Sequence, residues 1–100
     1  MNTNVLRVAA DSRPYLVAGA IAGQIREDGH SVIQAIGMVA VYLMLKAVIT
    51  AQSYLEDEGL HLACSIGYVN GDLVDQECKA VRMTVCIAPG QADSPTLVAA

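Results

Sequence analysis

Tryptophan and phenylalanine are both absent from these 100 residues, and four tyrosines are the only aromatic side chains. The core is therefore expected to be built from Ala, Val, Ile and Leu, which supply most of a 54% hydrophobic composition. Charge is sparse as well. Six Lys and Arg stand against ten Asp and Glu, for a net charge of −4. That balance argues against a nucleic-acid binder held by bulk positive charge, while leaving room for a local basic patch. Cysteine is scarce and odd in number: Cys64, Cys78 and Cys86 lack CxxC spacing. Each reads as a buried, reduced thiol of a cytoplasmic protein, with no metal or cofactor implied.

Long apolar runs are missing too. The longest, Met38 to Leu45, falls short of the roughly 20 residues that cross a bilayer. Extending it to Leu55 brings in Lys46, Gln52 and Ser53, so no membrane span is expected. Met1 to Asn4 is polar and Arg7 interrupts the next apolar segment, so no secretory leader is expected. A single domain over 1–90, with a flexible tail at 91–100, fits this length.

What is present is a regular order of elements. Val5 to Ala10 suits a half-buried strand. Asp11 or Ser12 can cap a helix that has Pro14 in its first turn and runs to about Asp28, where Gly29 ends it. Gly19 and Gly23 lie inside that helix, each costing about 1 kcal/mol relative to Ala. Close packing of the backbone on a neighbour is the expected compensation. The GxGxxG spacing of a dinucleotide site is absent.

Ser31 to Ile36 reads as a second strand, and Gly37 turns the chain into a second helix, Met38 to about Leu55. The free amides at that junction could hold an anion, although a lone glycine carries little weight. On a 3.6-residue wheel Ala40, Ala47 and Ala51 form a small-residue seam, flanked by Leu43, Met44 and Val48. The opposite side, polar in an ordinary surface helix, carries Met38, Tyr42, Leu45 and Ile49. Burying each is worth roughly 1.5–3 kcal/mol. A second protomer is the expected cover for that stripe.

Glu56 to Gly59 reads as a solvated loop after the helix. Leu60 to Val69 is a third strand; Asn70-Gly71 signals a tight turn, while the acidic stretch through Glu77 suggests a longer, mobile loop. Cys78 to Ala88 is a fourth strand, with Val81, Met83, Val85 and Ile87 on one face and Arg82 and Thr84 on the other. Pro89-Gly90 stops it. The order is β-α-β-α-β-β: an α/β two-layer sandwich with a four-stranded mixed sheet and two helices on one face.

From Val5 to Pro89 the chain resembles the stage V sporulation protein S family. The matching residues are Val17-Ala18-Gly19-Ala20, Ala22-Gly23, Arg26, Gly29, Ile33-Gln34-Ala35-Ile36-Gly37, Ala40 and Lys46-Ala47-Val48. That family is similar in fold to the Alba group of small dimeric nucleic-acid-binding proteins. The resemblance implies a non-enzymatic regulator of sporulation or cell development, with nucleic-acid binding as the inference from fold. The family pattern has Lys where this chain has Asp11, and polar residues where it has Tyr15, Leu16, Tyr42 and Leu43. These departures remove polar or basic surface and favour self-association.

Catalytic constellations fail on inventory. His30 and His61 lack HxxxH or HExxH partners, and the carboxylates cluster in loops. His61 and Cys64, three apart on a strand, point to opposite faces. Two readings remain. One is a dimer touching DNA or RNA through Arg13, Lys46, Lys79 and Arg82. The other is a self-assembling structural protein joined through the Met38, Tyr42, Leu45 and Ile49 stripe.

Overall fold

The computed structural model describes residues 4–70, 79–89 and 99. Its elements are β1 (Val5–Val8), α1 (Pro14–Asp28), β2 (His30–Ala35), α2 (Met38–Glu56), β3 (Leu62–Asn70) and β4 (Lys79–Ile87). The sheet order is β1-β2-β4-β3. β1 runs parallel to β2, and the other two pairings are antiparallel. Both helices lie on one face, as the order of elements predicts.

Helical spacing selects what is buried. In α1 the buried positions are Ala18, Ile21, Ala22 and Ile25, a stripe at i, i+3, i+4 and i+7. In α2 they are Ala40, Met44, Ala47, Val48, Ala51 and Leu55. These meet Val8, Ile33, Ala35, Met83 and Val85 from the sheet in one core. By length and composition α2 could cross a membrane, contrary to the expectation that its apolar stretch is too short. Its buried seam makes it the central helix of this core.

Several local expectations change. Ser12 does not cap α1: its Oγ accepts the Ala9 N–H at 2.9 Å, while Ser12 N–H returns to Ala9 O at 3.0 Å. The cap residue is Arg13, and it makes no side-chain cap bond. Gly29 (φ 80°) ends α1 as expected, and β2 begins at once with His30. Glu56 belongs to α2 rather than to a following loop. Gly59 (φ 73°) closes that helix, with Gly59 N–H bonded to Glu56 O (2.9 Å) and Leu60 N–H to Leu55 O (3.2 Å). β3 therefore starts two residues later than the sequence suggests. The expected Asn70-Gly71 turn and the 91–100 tail fall, apart from Asn70 and position 99, outside the described residues.

The glycine expectation is not met. A Cβ added at Gly19 or Gly23 would meet nothing within 4 Å, so neither residue mediates close packing within the chain. Each stands one position past a buried alanine, about 100° off the buried stripe. Ala40 and Ala47, on the facing seam, are buried.

Polar side chains fasten the layers together. Ser31, buried in β2, donates to Gln24 Oε1 at 2.5 Å, and Gln24 Nε2 donates to Asn4 O at 3.1 Å. One amide thus ties α1 to the starts of β1 and β2. Arg26 forks onto Glu58, with Nε at 3.0 and 3.2 Å and Nη2 at 2.7 Å, joining the end of α1 to the turn after α2.

Candidate functional site

A β-α-β-α order sends both helices off from the end where β1 and β2 finish. Arg13 precedes α1 at that end. Arg82 pairs in register with Gln34, the penultimate residue of β2, and Val81 pairs with Ala35. Lys79, two residues earlier on β4, therefore lies beyond the finish of β2, opposite Asn70. Arg13, Lys79 and Arg82 thus share one end of the molecule with both helix N-termini, whose free amides carry partial positive charge.

The opposite end is acidic. Glu27 and Asp28 close α1, Glu56 closes α2, and Asp57 and Glu58 follow it. Among the described residues the carboxylates other than Asp11 therefore gather at this end, where Arg26 is the one cation and pairs with Glu58. Composition alone could not show this, because the separation is produced by topology.

Lys46 does not join the other three. It lies midway along the outer side of α2, with Nζ 5.5 Å from the centre of the Tyr42 ring. Lys79 holds a similar position over Tyr68 at 5.9 Å. Arg82 is on the sheet face away from the helices, where Nε and Nη2 donate to Gln34 Oε1 at 3.2 and 2.9 Å. Arg7 pairs in register with Gln34 on the same face. Sequence reasoning passed over Arg7 and Gln34. Alternation along β1 and β2 places them, but only the observed register brings them into one row. Next to that row Gly67, opposite Arg82, leaves a shallow depression bordered by Ser65 and Thr84.

The apolar stripe lies at the surface of the single chain. Met38 is 89% exposed, Tyr42 58%, Leu45 41% and Ile49 69%. Tyr15 and Leu16, in the first turn of α1, are also exposed.

The thiols depart from expectation. Cys64 and Cys86 are exposed rather than buried, because no helix covers β3 and Cys86 faces away from the helices. Cys64 is in register with Val85, and Ala63 with Cys86, so the two thiols sit on opposite faces. Partial burial, with a smaller push from Cys86, raises the Cys64 pKa and keeps it protonated. Cys78 lies outside the described residues. Among the described residues no three His, Cys, Asp or Glu side chains gather as a metal site would require.

Comparison with known proteins agrees with this geometry. The sequence model of Stage V sporulation protein S matches residues 4–88. Among solved structures the fold is similar to "Alba from Thermoplasma volcanium", with a TM-score of 0.52. The match has 15% identity and covers 83% of this chain and 99% of that one. At that identity the likeness concerns the fold alone.

Proposed function

Because the chain belongs to the Stage V sporulation protein S family, we propose that it is a small non-enzymatic, homo-oligomeric protein of sporulation or cell development. In this reading it works in the cytoplasm and contacts the phosphate backbone of DNA or RNA with its basic end. The observation that carries the reading is the segregation of charge. Among the described residues Arg13, Lys79 and Arg82 stand with two helix N-termini, while five carboxylates, one of them paired with Arg26, stand at the far end. Phosphate contacts of this kind give affinity without base specificity.

The test is fluorescence anisotropy with labelled single- and double-stranded DNA and RNA across a salt series. A dimer making about six phosphate contacts loses roughly 10³-fold in affinity between 50 and 200 mM salt. Replacing Arg13, Lys79 and Arg82 by Ala should flatten that dependence by about one unit of slope per contact removed. Absence of binding at low ionic strength sinks the reading.

A second reading, assembly without nucleic acid, is favoured by the exposed α2 stripe. Four large apolar side chains in a row on one helix are costly to leave in water. Tyr42→Glu with Leu45→Glu should lower the sedimenting mass while leaving the far-UV circular dichroism unchanged. An unchanged mass counts against the stripe as the contact surface.

A further inference from the structure

The two edges of the sheet are β1 and β3. β3 is nine residues long, LACSIGYVN, with no charged residue and no proline. Its register with β4 runs unbroken from Leu62 opposite Ile87 to Asn70 opposite Lys79, so no bulge bends it. Neither helix covers it, and Ile66 and Tyr68 are 62% and 74% exposed. An edge of this kind lacks every feature that commonly blocks pairing with another strand.

The direction of its backbone groups follows from one bond. Ala88 N–H donates to His61 O at 2.7 Å, so His61 is a bonded position of the ladder with β4. Bonded and non-bonded positions alternate in an antiparallel pair. Ala63, Ser65, Gly67 and Val69 therefore point their N–H and C=O groups at β4, while Leu62, Cys64, Ile66 and Tyr68 point theirs outward. At the near end the outward groups are already occupied. Gln52 Nε2 donates to Leu60 O at 2.9 Å, and Leu62 N–H donates to Gln52 Oε1 at 2.7 Å. The Gln52 amide fills the place of a neighbouring strand for one position. Beyond it, among the described residues, nothing pairs with the edge from Cys64 onward.

We infer that β3 of one copy pairs antiparallel with β3 of a second copy about a two-fold axis at Ile66. The result is one eight-stranded sheet, four strands from each copy. Ile66 then faces its own counterpart, and Cys64 faces Tyr68 of the other chain, with about six backbone bonds across the junction. The edge suits its own copy: a two-fold axis at Ile66 sets each outward-pointing position against an outward-pointing position of the other chain, and the strand carries no charge that repels it. The contact uses a different surface from the α2 stripe, so it stands or falls independently of the function proposed above. If both contacts form, assembly continues past the dimer, because each copy then has two self-complementary surfaces.

The experiment is amide hydrogen exchange on the full chain at high and low concentration, read beside sedimentation. In the assembled state the Cys64, Ile66 and Tyr68 amides should slow by about ten-fold or more relative to the dilute chain, because pairing suppresses local opening. Ile66→Pro removes an N–H that β4 does not use, and Ile66→Lys keeps the backbone but places a charge on the edge. Both should abolish the slowing and lower the sedimenting mass. If the proline variant misfolds, the lysine variant carries the test. Tyr42→Glu should leave the β3 slowing in place. The inference is overturned if the three amides exchange freely in the assembled protein, or if mass is unaffected by either Ile66 variant. Slowing that survives dilution to the single chain also overturns it, since another segment of the same chain would then occupy the edge.

Discussion

The two sides of α2 carry side chains of similar character and meet opposite fates. Toward the sheet, Ala40, Met44, Ala47, Val48, Ala51 and Leu55 are buried; on the far side Met38, Tyr42, Leu45 and Ile49 stand in solvent. Hydrophobicity alone does not distinguish the sides. Size does: the inner side alternates small and large groups, so that alanines admit α1 and the sheet closely while Met44 and Leu55 fill the space between. The outer side has no small residues among its four. It suits a broad, flat contact better than a close crossing of backbones. One helix thus serves as the core of this fold and as a surface with unburied apolar area.

The sharpest way to break that comparison is to truncate one residue on each side. Met44→Ala should cost about 2–5 kcal/mol, the range for deleting a fully buried chain of this size. Ile49→Ala should stay within about 0.5 kcal/mol in the dilute single chain, as exposed substitutions do. Chemical denaturation of both variants reads the difference. If Ile49→Ala grows costly as protein concentration rises, the outer side is covered in the assembly. Equal costs at high dilution would mean that the two sides are not distinct.

Next in size is Gly19→Ala. Gly19 has no positive φ, and an added methyl meets nothing within 4 Å. Helix propensity then favours Ala by up to about 1 kcal/mol. A raised melting temperature is the expected outcome in the dilute chain. Lowered stability at concentrations where the protein assembles would place Gly19 against a second copy, which is the close approach that the single chain lacks.

These positions show what was legible. The alternation of Val81, Met83 and Val85 and the helical spacing of Ala40, Ala47 and Ala51 announce buried faces, because period alone tells a residue's side. The order of elements followed from the glycines at the joints. Coverage was not legible. Cys64 and Ile87 lie on the same side of the sheet as Val85, yet both are exposed: the helices stop short of β3, and Ile87 lies beyond the last residue of β4 that pairs with β2. Gly19 and Gly23 misled for a related reason: glycine in a helix marks a cost without saying which side bears it. Arg13, Lys79 and Arg82 were legible as candidate cations, but that they share one end with both helix N-termini while Lys46 does not follows from the β2–β4 register and the start of α1. Gln52 registered merely as a polar interruption. Its amide is placed at the β3 edge by the turn at Gly59, which no local pattern describes.

The smallest expected effect concerns the fork between Arg26 and Glu58, which bridges the acidic end of the helix layer. The hydrogen bonds from Arg26, reinforced by its charge, hold the Glu58 pKa below the ordinary carboxylate range, against the opposing effect of burial. A carboxylate whose folded pKa is depressed stabilises the fold above its unfolded pKa, and that contribution disappears as pH falls through the folded value. The window therefore lies below about pH 4.3, the ordinary value for glutamate. Both side chains are nearly half exposed, at 47% and 43%, so solvent screening keeps the effect modest. Glu58→Gln should leave stability at neutral pH only slightly lower and make the acid limb of a melting-temperature profile shallower. Arg26→Ala should flatten the same limb. If both variants follow the parent profile below pH 4.3, the fork contributes nothing to acid sensitivity, and the other carboxylates at that end govern it.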